Sequence, residues 1–321
     1  MLFLNREQVL QALDTESAME AVAEALAIQE GGDFAMPERL TTEVAPSDLL
    51  ILMPSAAEDA VATKILTLFP GNRGSRHPVI QGLVLLCDRG TGEFLAVLDG
   101  QALTAMRTAA VTALSTRYLA RPDASRVGLI GCGAQGLFQL RFACAVRPIR
   151  QITLLDRTPD IAEAFAERLR PTIPPVEIRI AGSATELAQQ SDILITATTA
   201  RQPVFPDQPE LFAGKHCIAI GAFEPEVREY PDALFGQLQR VYIDTLYAME
   251  ESGELLLPLQ SGVWDEERVQ SLGSLIASGE APLPGETGTT FFKTVGIALF
   301  DLTSARKAYR RARELAIGTE V

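Results

Sequence analysis

The chain reads as an α/β protein in which a doubly wound parallel sheet is inserted into a second, α+β domain. Three observations predict this. Six short, nearly continuous apolar runs recur through the middle of the chain, at residues 126–130, 152–155, 176–180, 193–197, 216–220 and 241–244, with helices or loops between them. Runs of that kind are strands covered on both faces, as in a parallel sheet with crossover helices. A glycine-rich turn, Gly131-Cys132-Gly133-Ala134-Gln135-Gly136, follows the first run. The flanking segments differ, with mixed helix and strand before and one helix after. The expected division is residues 1–120 with 289–321 as one domain and 121–288 as the other.

In chain order, Thr15 is placed to cap a helix whose Met19, Val22, Ala23 and Leu26 share a face. Strands are expected over 49–53, 61–69, 79–87 and 94–98. The turn Asp88-Arg89-Gly90-Thr91-Gly92 joins the last two as a hairpin. A helix over 102–118 is stopped by Arg121-Pro122-Asp123, because a proline forces its predecessor out of helical geometry. Between the second and third parallel strands, Ile161, Phe165 and Leu169 recur at helical spacing. The final helix is expected over 289–316, with Phe292, Val295, Leu299, Leu302 and Tyr309 on one stripe. Pro282, Pro284 and Gly285 break the chain before it.

Composition narrows the function. The 321 residues carry a formal charge of −13. That argues against nucleic acid and anionic membranes as partners, since both demand clustered Lys and Arg. No apolar run approaches the roughly 20 residues that span a bilayer. The first residues lack a basic stretch followed by a long apolar one, so a cytoplasmic setting is expected. Four isolated cysteines and two histidines, His77 and His216, give no metal-ligand spacing, and no metal is expected. His77, His216 and Cys132 are read as structural.

The glycine turn is GxGxxG between a strand and a helix that carries Leu137, Leu140 and Cys144 on one face. Gly131 permits the tight turn, Gly133 leaves room for a pyrophosphate, and Gly136 lets helix and strand close up. The helix N-terminus then offers free N–H groups to the anion. This is a Rossmann fingerprint. Asp156, 20 residues after Gly136, can accept from both ribose hydroxyls, which favours NAD(H). Arg157-Thr158 can hold a 2′-phosphate, which leaves NADP(H) open. Thr198 ends the fourth strand and Gly221-Ala222 the fifth, at the carboxyl edge where such sheets bind ligands. Small residues there suit a backbone close to a nicotinamide ring.

Two cations interrupt apolar segments. Lys64 shares a strand face with Ala62, Leu66 and Leu68, where a lysine is costly unless paired. It either holds a carboxylate, or moves protons with a lowered pKa, or snorkels from an edge strand to water. Arg107 lies early in an apolar helix and either grips an anion bidentately or forms a structural ion pair. Arg39 follows Met36-Pro37-Glu38 in a loop, where a solvated arginine is the plainer reading.

Together these pieces resemble the ornithine cyclodeaminase/mu-crystallin family over nearly the whole chain. The carriers are Leu52-Met53-Pro54, Thr63-Lys64-Ile65, Phe69-Pro70-Gly71-Asn72, Leu103-Thr104-Ala105-Met106-Arg107-Thr108-Ala109-Ala110 and the glycine turn. Asp192-Ile193-Leu194-Ile195-Thr196-Ala197-Thr198-Thr199 and Phe292-Lys293-Thr294-Val295-Gly296 complete the set. The resemblance implies an NAD(P)-binding domain inserted into a substrate-binding and dimerisation domain, and a homodimer. It places Arg39, Lys64 and Arg107 around a substrate carboxylate, with Lys64 also serving proton transfer and Val295 packing near the substrate. It places Arg107, Thr108, Ala134, Gln135, Asp156, Thr198, Gly221, Ala222, Arg228 and Thr294 along the cofactor.

Two departures from the cyclodeaminase pattern decide the expected activity. Phe223 stands where those members carry an Asp that handles the amine, although the neighbouring Glu224 can substitute if the loop shifts. Ile51 stands where ornithine-specific members carry an acidic residue. The expectation is NAD(P)H-dependent reduction of a small cyclic imino acid, Δ1-pyrroline-2-carboxylate or Δ1-piperideine-2-carboxylate, to proline or pipecolate. Ornithine cyclodeamination, an alanine-type dehydrogenase and a non-catalytic NAD(P)H-binding protein are the alternatives.

Overall fold

The computed structural model describes residues 1–72, 74–222, 224–282 and 288–321. Phe223, Pro284 and Gly285 lie outside the described residues. The chain divides into two compact units, Met1–Ala110 with Gly296–Val321 and Val111–Val295.

The first unit opens with β1 (Leu2–Leu4), α1 (Arg6–Ala12) and α2 (Thr15–Gly31). The cap of α2 is Asp14 rather than Thr15: its Oδ1 accepts from the Ser17 backbone N–H at 2.8 Å. An aspartate fits this role because its oxygen reaches the otherwise orphaned N–H groups of the first turn. Then come β2 (Phe34–Ala35), β3 (Leu40–Ala45), β4 (Asp48–Ala57), β5 (Ala60–Leu68), β6 (Ile80–Asp88) and β7 (Phe94–Asp99). Strands β4 to β7 form an antiparallel meander. The β6–β7 hairpin turns at the expected segment, where Asp88 Oδ1 accepts from the Thr91 N–H and hydroxyl. Helix α3 (Gly100–Leu119) follows, and its first half belongs to this unit.

The second unit carries β8 (Arg126–Ile130), α4 (Gly136–Val146), β9 (Gln151–Leu155), α5 (Pro159–Leu169), β10 (Glu177–Ile180), β11 (Ile193–Thr196), β12 (His216–Ala219), β13 (Val241–Ile243), β14 (Val269–Ser271) and β15 (Thr290–Lys293). They form one eight-stranded sheet in the order β10-β9-β8-β11-β12-β15-β13-β14. All its pairings are parallel. The order reverses between β8 and β11, which creates the crevice where doubly wound sheets take ligands. Aromatic side chains Phe205, Phe212, Tyr230, Phe235, Trp264 and Phe291 fill the core on one side.

Two sequence expectations are corrected. Residues 290–293 form strand β15, paired with β12 and β13, and not the start of a helix. Phe292 and Val295 therefore leave the expected helical stripe. The C-terminal helix runs Ala298–Glu314 and returns to the first unit, where it packs on β4, β5 and α2. On α5, Ile161 is exposed, and the buried face is Ala162, Phe165, Ala166 and Leu169.

Candidate active site

In the first unit, Lys64 lies mid-sheet on β5, between β4 and β6, opposite Met53 and Val84. It is 2 % exposed. The edge-lysine alternative is thereby excluded, because no water reaches a central strand's inner face. Its Nζ donates to Asp301 Oδ2 at 2.8 Å. Asp301, from the C-terminal helix, is 1 % exposed and also takes Arg107 Nε at 3.4 Å through Oδ1. One carboxylate thus serves two buried cations. Burial lowers the Lys64 pKa to about 8; Asp301 pulls it back up, while Arg107 and Arg39 push it down.

Gly296 brings the arginines together. Its φ is +77°, and a Cβ there would lie 2.5 Å from Arg107 Nη1 and 3.1 Å from Cζ. The guanidinium therefore rests on bare backbone. Arg39 Nη2 donates to the Gly296 carbonyl at 3.5 Å, so this loop arginine is not simply solvated. Beside Lys64, the same face of β4 and β5 carries Ile51, Met53 and Leu66, with Met36, Leu49 and Ala298 packed against them. A buried cluster of cations thus adjoins an apolar wall. Thr108, one turn-step beyond Arg107, is buried on α3.

In the second unit, the glycine turn sits at the switch point. Gly131 has φ +100°, and a Cβ would meet the Ala197 carbonyl at 2.5 Å. A Cβ on Gly136 would lie 2.7 Å from Leu129 Cδ2, which is the close helix–strand contact the motif demands. A Cβ on Gly133 would meet nothing within 4 Å. Ala134 is exposed beside it. No side chain caps α4, and the Gln135 Oε1 is buried without a partner. Free helix N–H groups and open space over Gly133 fit a dinucleotide pyrophosphate. Asp156, half-buried at the end of β9, accepts from the Cys132 N–H at 3.0 Å and the Thr158 N–H at 3.1 Å. Arg157 beside it is exposed. Burial, and then the Asp156 charge, push the Cys132 thiol up to about 12, so it is no nucleophile.

The ends of β11 and β12 are tied by a residue the sequence reading missed. Glu229 is fully buried and accepts from the Thr196 hydroxyl, the Thr198 hydroxyl and N–H, and the Gly221 N–H, at 2.7–2.8 Å. The small size of Gly221 answers to this packing. A Cβ there would fall 2.1 Å from the Thr198 carbonyl. Ala222 is buried, and its carbonyl accepts from the Ser252 hydroxyl. Thr294 and Val295 follow β15 and bond Asp244 through the Thr294 hydroxyl and the Val295 N–H. Arg228 pairs with Asp232. Glu224 pairs with Arg201 at 3.6 Å and is half exposed.

Asp301 was findable by the criterion that singled out Lys64 and Arg107. It is a charge inside the apolar run Ile297-Ala298-Leu299-Phe300-Asp301-Leu302. Glu229 carries no such signal, since its neighbours are themselves polar. Among the described residues no group of three or more His, Cys, Asp or Glu could hold a metal ion, and no helix is long and apolar enough to cross a membrane.

A Rossmann sheet with its glycine turn at the switch point defines a class: dinucleotide-binding proteins. Residues 1–315 match the ornithine cyclodeaminase/mu-crystallin family, and the chain belongs to it. The motif-based resemblance is borne out. The chain is 34% identical over 276 residues to a Δ1-pyrroline-2-carboxylate reductase of Bacillus cereus, covering 84% of each chain. It is 33% identical to mouse ketimine reductase mu-crystallin, covering 96% of each. The solved structure of Thermococcus litoralis Δ1-pyrroline-2-carboxylate reductase with NADH and L-proline matches over 100% of both chains, with a TM-score of 0.93 and 33% identity. An archaeal alanine dehydrogenase dimer with bound NAD matches with a TM-score of 0.90 and 27% identity, over 100% of this chain and 98% of that one.

Proposed function

We propose that this chain is a nicotinamide-dependent reductase of small cyclic imino acids, taking Δ1-pyrroline-2-carboxylate to proline. The observation that carries the proposal is the pairing of a buried Lys64–Arg107 receptor with the Ile51, Met53 and Leu66 wall. A cyclic imine with one carboxylate and an edge of methylenes matches both halves. A distal ammonium would face Ile51, an unpaired charge against hydrocarbon, which is strongly disfavoured.

The first unit is the substrate-binding part in this reading, and the second holds the dinucleotide. The bound dinucleotide supplies the hydride that the C=N carbon takes. Arg107, Lys64 and Arg39 fix the carboxylate, which holds the ring in one orientation and contributes through positioning. Lys64, charged below about pH 8, donates a proton to the ring nitrogen and regains one from water. Val295 and Thr294 close the second unit's edge, with Asp244 fixing their backbone and hydroxyl. Gln135, Ala134, Thr198, Gly221, Ala222 and Arg228 line the dinucleotide side of the second unit.

NAD(H) is the preferred cofactor. The Asp156 carboxylate, fixed by two backbone N–H groups, accepts ribose hydroxyls and repels a 2′-phosphate. Exposed Arg157 is the feature that favours NADP(H). The working assembly is a homodimer. The outward face of the first unit's sheet carries Phe3, Leu40, Ile65, Leu83, Phe94 and Val97, several of them about half exposed. A second copy of the same face covers it, in keeping with the dimeric alanine dehydrogenase relative. Its four cysteines are free thiols, as a reducing cytoplasmic setting keeps them.

The test is a panel of cyclic imines, pyruvate with ammonium, and ornithine with NAD⁺, each read by nicotinamide absorbance and ammonia release. Imine-dependent oxidation of NADH is expected, and Lys64→Ala abolishes it while leaving NADH affinity in place. Ammonia from ornithine without net NADH change overturns the proposal in favour of a cyclodeaminase.

A further inference from the structure

The carboxylate between the two cations is not used by the mechanism above. Asp301 is buried, and its two oxygens are divided, Oδ2 to Lys64 Nζ and Oδ1 to Arg107 Nε. Among the described residues it is the carboxylate within ion-pair distance of either cation. Its engagement of Arg107 through Nε, the inner edge of the guanidinium, leaves the terminal fork over Gly296. Its engagement of one Lys64 proton leaves the other two ammonium protons for a second acceptor.

We propose that Asp301 is the positioning residue of this receptor: it sets the orientation of the Lys64 and Arg107 heads, so that together they receive one substrate carboxylate. The inference rests on the functional reading above and deepens it. The groups facing Lys64 are few. From β4 comes Met53, from β6 Val84, both apolar. From α3 comes Arg107, and from the loop before β3 comes Arg39, both cations that oppose a third positive charge. From the C-terminal helix comes Asp301, the counter-charge that offsets them. Without it, two cations and an apolar wall would surround one ammonium, and the proton would leave at a lower pH.

The test uses full-length Asp301→Asn and Asp301→Glu. In Asp301→Asn, KM for the imino acid rises about tenfold or more near neutral pH, as expected when charged groups lose their fixed orientation. The alkaline limb of kcat/KM moves to lower pH by about one unit or more. NADH affinity stays at the wild-type value. A folded Asp301→Asn with wild-type KM and an unmoved limb overturns the proposal.

Should Asp301→Asn not fold, Asp301→Glu decides. Charge is kept and reach altered, so the limb stays in place while KM rises. Wild-type KM in Asp301→Glu then overturns the proposal. Calorimetry of L-proline binding separates this inference from the functional one. If the wild type reduces no cyclic imine, the functional reading fails. Asp301 still stands if L-proline binding weakens in Asp301→Asn and falls if binding is unchanged or absent in both proteins.

Discussion

Replacing Gly296 with Ala tests whether Arg107 holds the substrate carboxylate. The added Cβ would lie 2.5 Å from Arg107 Nη1 and 3.1 Å from Nη2 and Cζ. Ordinary contact for such atoms is about 3.5 Å, so the guanidinium must retreat by about 1 Å. It is tethered at Nε by Asp301, 3.4 Å away, so the retreat also disturbs that pair. A charge-assisted hydrogen bond between a guanidinium and a carboxylate contributes about 1.5–3 kcal/mol, so its loss raises KM for the imino acid roughly 10- to 150-fold. The backbone adds its own effect. At φ +77° an L side chain costs about 1–2 kcal/mol of stability, which lowers the melting temperature by a few degrees. Steady-state kinetics with varied imino acid measures the first effect and thermal denaturation the second. NADH affinity, which belongs to the other unit, serves as the internal control and stays unchanged. A folded Gly296→Ala enzyme with wild-type KM refutes the placement of Arg107 as the carboxylate's partner.

Three further outcomes follow from the same geometry. Gly221→Ala forces a carbon to within 2.1 Å of the Thr198 carbonyl, so melting temperature and NADH affinity fall together, as paired thermal and fluorescence titrations will show. Lysine is charged below its pKa, so with Lys64 near 8 carboxylate binding is intact in neutral solution and weakens about tenfold per pH unit above that value. A pH profile of kcat/KM checks this, and Lys64→Arg removes the limb because a guanidinium does not titrate there. Leu83→Glu places a charge on the uncovered sheet face, and light scattering after gel filtration should report a monomer. A retained dimer moves the interface elsewhere.

The alternation on β5 and the apolar start of α3 marked Lys64 and Arg107 as misplaced charges, and the structure buries both. The glycine turn likewise carried its own explanation, since Gly131 and Gly136 meet the close contacts their positions demand. These were legible because each is a local fact: a charge in an apolar run, or a missing Cβ at a fixed offset between strand and helix. Strand β15 was not legible. Phe292, Val295 and Leu299 fall at helical spacing, and a four-residue segment cannot distinguish a strand from a helix turn by period. Pairing with β12 and β13 settled it.

By itself, the sequence determined the Rossmann unit, the dinucleotide turn and the two cations that must be neutralised. Only the tertiary structure decided how they are neutralised. Asp301 lies 237 residues from Lys64 and 194 from Arg107. Glu229 ties the ends of two strands, 31 residues beyond Thr198. Electrostatic partners in a low-dielectric interior are chosen by distance in space, and a local pattern records only that a buried charge needs a partner, not which one folding delivers.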